Sequence, residues 1–184
     1  MNVKCSIFFD IDNIHDFFYS VLLPTISTKN YIQTFECEEK PNLSEISNIL
    51  DCKRVIYKNK NSYIIYEDDL IDGGWTFINS IAKKYNVKTL YLKIIDEDPY
   101  PTYYLAYFEN NTERIIYNIK ETRWTFFSKG PIAFFEEGEQ YLEKKTSDKF
   151  NKDKIILFCK RLGVDILDEQ FLKPISSVYC MKRK

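Results

Sequence analysis

The sequence predicts an α+β fold: a largely antiparallel, meander-type β-sheet with helices packed on one face. Two observations carry this. Residues 88–95, 102–108, 113–119 and 123–127 are runs rich in β-branched and aromatic side chains, separated by turn formers at 96–101, 110–111 and 120–121. That is the pattern of consecutive antiparallel strands. Apolar residues at helical spacing precede and follow these runs, and would cover the apolar face of the sheet.

Taken in order, residues 3–9 read as a strand. Ile14, Phe17, Phe18 and Val21 recur at helical spacing, and Pro24 stops that helix. Residues 31–35 form a short strand. Asn42 and Glu45 have capping-box spacing and open a helix with Leu43, Ile46, Ile49 and Leu50 inward. Residues 54–57 and 63–66 flank a polar turn and read as a hairpin. Asp72 caps the next helix, whose buried stripe is Trp75, Ile78, Ile81, Ala82 and Tyr85, with Asn86 at its end. Leu90, Leu92 and Ile94 share one face of the sheet, Tyr91 and Lys93 the other. Ile115, Tyr117 and Ile119 also share a face. Such alternation suits a sheet with one side on the core and one nearer water. A last helix spans 147–162 with Phe150, Ile155, Phe158, Cys159 and Leu162 inward, ended by Gly163. Residues 178–181 form a closing edge strand.

A chain of 184 residues, 45% hydrophobic and 29% charged, predicts one domain over 1–184. Only 5 glycines argue against a glycine-loop nucleotide enzyme. The net charge of −1 is uneven: residues 1–110 carry 11 basic and 16 acidic side chains, residues 111–184 carry 15 and 11. That balance disfavours nucleic acid as a partner. Cys5, Cys37, Cys52, Cys159 and Cys180 are odd in number and form no CxxC pair, which reads as reduced thiols. The first ten residues hold too short an apolar run for a signal peptide, and no stretch is long enough to span a membrane. The expected compartment is the cytoplasm, with no membrane partner.

Asp10, Asp12 and Asp16 follow the first strand, where carboxylates can hold Mg²⁺ for phosphoryl chemistry. The simpler reading is a helix N-terminus, with Asp12 or Asn13 as cap and Asp16 complementing the dipole. His15 is the single histidine and no Gly-x-Ser-x-Gly is present, so histidine metal sites and a serine triad are not supported. No cofactor, metal or catalytic residue is assigned. The aromatics Tyr91, Tyr103, Tyr104, Tyr107, Tyr117 and Trp124 lie on strands. There they pack across the sheet, stack single-stranded bases or anchor a protein interface. Three acidic clusters fall at turns: Glu67, Asp68 and Asp69 with Asp72; Asp96, Glu97 and Asp98; Glu136 and Glu137 with Glu139. Acidic loops around an aromatic sheet would steer and orient a basic protein partner.

Several segments stand in a distinctive arrangement: Trp75-Thr-Phe-Ile with Ala82, Val87-Lys-Thr-Leu-Tyr-Leu and Trp124-Thr-Phe-Phe, followed by Phe135-Glu-Glu-Gly-Glu, Phe150-Asn-Lys-Asp and Leu162-Gly-Val-Asp-Ile. Together they resemble bacterial immunity proteins of polymorphic-toxin systems, including those of contact-dependent growth inhibition. The resemblance covers residues 70–170 and contains no short catalytic motif. It implies a non-enzymatic, cytoplasmic inhibitor that binds the C-terminal domain of a cognate toxin, often a basic nuclease, and occludes its active site or substrate groove. Charge and loop placement then nominate the three acidic clusters with Tyr100, Tyr103 and Trp124 as toxin contacts. The alternatives are a metal-dependent phosphoryl-transfer enzyme using Asp10 and Asp12, or a single-stranded nucleic-acid-binding module.

Overall fold

One nine-stranded sheet organises the computed structural model, which describes residues 1–26, 31–37, 52–68, 74–97, 99–138, 141–175 and 178–183. The strands are β1 (Asn2–Phe8), β2 (Tyr31–Cys37), β3 (Cys52–Lys58), β4 (Ile64–Asp68), β5 (Thr89–Ile95), β6 (Thr102–Glu109), β7 (Thr112–Lys120), β8 (Trp124–Lys129) and β9 (Val178–Arg183). They lie in the order β2-β9-β3-β4-β1-β5-β6-β7-β8, with every pairing antiparallel. The α+β class and the β5–β8 meander are therefore as the sequence predicts. Asn110 and Asn111 both adopt positive φ, the conformation a tight hairpin turn between β6 and β7 demands.

β9 departs from expectation. It sits between β2 and β3 and is an interior strand rather than a closing edge. Val178, Tyr179, Cys180 and Met181 are all buried, as consecutive residues must be in a strand covered on both faces.

The helical segments are α1 (Ile14–Phe17), α2 (Leu23–Ile26), α3 (Trp75–Tyr85), α4 (Thr146–Lys149) and α5 (Lys152–Arg161). A π-helical turn, Phe18–Leu22, joins α1 to α2, and the Leu23 N–H bonds back to the Phe18 carbonyl. Helix continues through Pro24 instead of stopping there: the widened turn precedes a residue with no N–H to satisfy. The N-cap of α3 is Gly74, at φ 69°. Asp72 and the helix expected over 42–50 lie outside the described residues. The last helix is split. Phe150 turns extended at φ −151°, and the Asn151 side chain recaps α5 by accepting from the Lys154 N–H at 3.1 Å.

Helices cover both faces of the sheet, not one. Phe8, Ile56, Ile64 and Tyr66 pack beneath Phe17, Phe18 and Leu22 and beneath Ile78 and Ile81 of α3. On the opposite face Leu92, Leu105 and Ile116 meet Phe150, Ile155 and Phe158. The reason is visible in β1 and β4, where alternate residues on both sides are apolar (Ile7 and Phe8, Ile64 and Ile65), so each side needs a cover. Beyond α3, the first of these faces reaches solvent at β8, where Thr125 and Phe127 are exposed.

Candidate functional site

The nominated residues scatter. Asp68 is buried on the α3 side, where its carboxylate accepts from Arg54 Nε at 2.7 Å and from the Tyr66 hydroxyl at 2.6 Å. Gly74 backs this pair so closely that a Cβ there would lie 2.8 Å from Asp68 Oδ2. Glu67 points to the other face and accepts from the Tyr57 hydroxyl. Burial first, and the Glu67 charge second, push the Tyr57 phenol far above its usual range. Glu136 is fully buried. Asp68 and Glu136 are thus internal ion-pair members and cannot be surface contacts. Asp69, Asp72, Asp98 and Glu139 lie outside the described residues. Glu137 is exposed.

At one end of the sheet, the structure does bring several nominees together. Tyr103 stacks on Trp124, with ring centroids 6.0 Å apart and planes 9° apart. The Tyr103 hydroxyl donates to Asp96 at 2.7 Å, and Lys152 of α5 donates to the same carboxylate. Lys152, then Tyr103, hold the Asp96 carboxyl below its ordinary value. Glu97 accepts from the Asn2 side chain, and Tyr100 stands exposed nearby on the β5–β6 connection. Tyr103 itself is buried, so of the aromatic nominees Tyr100 is the exposed one.

A heavily hydrogen-bonded surface feature lies at the other end, in the loop that follows β8. Arg114 of β7 is buried and reaches Glu136 through two parallel bonds, Nε to Oε1 at 2.7 Å and Nη2 to Oε2 at 2.6 Å. Its remaining nitrogen, Nη1, donates to Ser128 Oγ at 2.8 Å and to the Lys129 and Gly130 carbonyls at 3.1 and 3.2 Å. Glu136 also accepts from the Ala133 N–H at 2.9 Å and from the Tyr141 hydroxyl. Burial opposes the Arg114 charge, but the Glu136 hydrogen bonds and charge outweigh it and raise its pKa. Burial and then Glu136 push the Tyr141 phenol upward. Arg161 of α5 grips the same segment through the Phe135 and Glu137 carbonyls. Gly130 turns at φ 88°, where a Cβ would fall 2.0 Å from the Glu113 carbonyl oxygen. Only glycine fits there.

That anchoring holds two apolar side chains outward. Ile132 and Phe134 are each 63% exposed. They border a groove that continues to Tyr107 and Thr112 at the tip of the β6–β7 hairpin. Phe135 is the inward member of the pair, packed edge-on against Tyr107 and close to Phe158. Sequence reading missed Ile132, Phe134 and Arg114. The signal was the apolar run Gly130-Pro-Ile-Ala-Phe-Phe, which lies between strand and helix patterns and belongs to neither.

A second feature adjoins it. On the α3 side of the sheet, Tyr91, Tyr104, Tyr117 and Phe127 form a ladder across β5 to β8. Tyr104 and Tyr117 stack at 5.5 Å, and Tyr117 and Phe127 at 4.9 Å. Trp75 of α3 covers the Tyr91 end, while the ladder runs into solvent at Phe127, which is 39% exposed. Tyr103, Tyr107 and Trp124 belong to the opposite face.

Asp10 and Asp12 are exposed, with Asp10 at φ 58°. Asn13 caps α1, accepting from the His15 and Asp16 N–H groups at 2.9 and 3.2 Å. Among the described residues no group of three His, Cys, Asp or Glu side chains is arranged to hold a metal. β1, after which these carboxylates stand, is antiparallel to both its neighbours. Among the described residues no helix is long and apolar enough to cross a membrane. Comparison with known proteins finds no matching family model, curated protein or solved structure.

Proposed function

We propose that this chain is a non-enzymatic binding protein of the immunity type, which neutralises a cognate toxin domain in the cytoplasm by covering its active site or substrate groove. The observation that carries the binding reading is the pinned loop. Two large apolar side chains stand in water on a segment that a buried, fully bonded charge network holds still. Exposed apolar groups on a rigid support lose little freedom on association, which is how a small patch becomes an anchor. The toxin as partner comes from the sequence resemblance. Ile132 and Phe134 replace the buried acids as the centre of the interface, and Tyr100, Glu97 and Glu137 remain as exposed nominees.

The test is co-expression with the C-terminal domain encoded immediately upstream of this chain's gene. Survival with a co-purifying complex, and death when this chain is omitted, is the expected result. A harmless neighbour that does not bind would overturn the proposal.

A further inference from the structure

β8 is the last strand of the sheet, and among the described residues nothing pairs with its outer edge. Sheet edges in stable proteins are usually blunted by charged side chains, proline, a bulge or a cover, because an open row of N–H and C=O groups recruits other strands. β8 contains no proline, and its register against β7 runs unbroken from Trp124 to Lys129. The other edge strand, β2, has a register shift between Tyr31 and Gln33. β8 also carries the end of the aromatic ladder. Tyr117 occupies one face of the Phe127 ring, and among the described residues no further strand lies beyond it.

Charge selects what adds to this edge. From Thr122 to Phe135 the only charged residues are Arg123 and Lys129, one at each end of the strand. Lys129 lies 3.2 Å from Glu113 yet keeps 60% of its side chain exposed, and Arg123 is exposed. A second copy of this chain would bring two such pairs of like charges together, which is unfavourable. An acidic strand would meet a cation at each end.

We propose that β8 is a docking edge for an extended segment of the partner protein that has acidic ends and an apolar middle, added antiparallel beside Phe127. This rests on the binding-protein reading above and specifies the chemistry of the partner segment. The period of two places 123, 125, 127 and 129 on one side of the strand. The matching segment therefore alternates, with acids opposite Arg123 and Lys129 and β-branched apolar residues opposite Thr125 and Phe127. Backbone pairing would supply affinity and the end charges direction and selectivity.

The test needs no toxin. The probe is the blocked heptapeptide Glu-Thr-Val-Thr-Val-Thr-Glu, with Lys-Thr-Val-Thr-Val-Thr-Lys as its counterpart, titrated into the full chain at low salt. The readout is amide hydrogen exchange and chemical-shift change along β8. The expected result is slowed exchange at β8 by the acidic peptide, binding at least about tenfold tighter than the basic one, and loss of that preference at high salt. The double variant Arg123→Glu/Lys129→Glu should reverse the preference. Equal binding of the two peptides, no protection of β8 by the acidic one, or an unreversed preference would overturn the proposal. So would concentration-dependent self-association through β8. Co-expression and peptide binding fail independently, so loss of the toxin reading and loss of the strand-docking reading are separable.

Discussion

Arg114 and Glu136 meet through two parallel hydrogen bonds of 2.7 and 2.6 Å, with side chains 3% and 0% exposed. A buried pair of this kind is a poor source of net stability, since the desolvation of both ions offsets their attraction. Its consequence here is positional. It ties β7, the end of β8 and the turn Phe134–Glu136 into one body, and so sets where Ile132 and Phe134 stand.

Breaking that pair from one side is expected to be costly. Arg114→Met or Glu136→Gln alone should lower unfolding free energy by about 3–5 kcal/mol, because the partner charge is left buried. The double variant Arg114→Met/Glu136→Leu should lose much less than the sum. Denaturant unfolding of the three variants measures the coupling. Additive single effects below about 1 kcal/mol would show that the network does not bind the loop to the sheet.

Gly130→Ala should destabilise the chain by roughly 1–3 kcal/mol, through strain at positive φ and the clash with the Glu113 carbonyl. The loss should be local. Amide exchange in the loop should speed up while the α5 core around Phe158 is unaffected. A neutral Gly130→Ala would mean that the turn is not anchored on β7.

Asp96 gives a pH dependence. Lys152 and then Tyr103 lower its folded-state pKa below the ordinary 3.8. Its contribution is therefore complete above that ordinary value and is lost as pH falls through the lower folded value. Melting temperature followed from neutral pH to below about pH 3 should drop less steeply for Asp96→Asn than for the unsubstituted chain. Identical slopes would remove Asp96 as a linked group.

Phe158 ties α5 to Phe135 and Phe150 in the core. Phe158→Ala should cost about 3–5 kcal/mol in denaturant unfolding. A loss under about 1 kcal/mol would show that α5 is a peripheral cover rather than part of the core.

Much of the fold was legible in the sequence because strand signals are local. The β5–β8 runs and the Asn110-Asn111 turn announce themselves by residue type alone. The interior place of β9 was not legible, since only long-range pairing decides which strand stands between β2 and β3. The split of the last helix at Phe150 was hidden because Phe150 fits the inward helical stripe while its backbone is extended. The acidic clusters misled for a related reason. Asp68 and Glu136 look like solvated loop charge until their partners arrive, from 14 and 22 residues away, as Arg54 and Arg114. Both arginines lie on strands, each beside residues that read as core: Val55 and Ile56 for Arg54, Ile115 and Ile116 for Arg114. The exposed pair Ile132 and Phe134 had no pattern to reveal it, because exposure follows from the anchoring of the loop and not from periodicity.

Ile132 and Phe134 are proposed as the anchors of a protein interface. The most direct measurement is calorimetric affinity for the co-purified toxin domain, comparing the unsubstituted chain with Ile132→Asp/Phe134→Asp. Unfolding free energy should stay within about 0.5 kcal/mol of the original, since both side chains already face water. Affinity should weaken at least about a hundredfold. Unchanged affinity in a normally folded variant would contradict it.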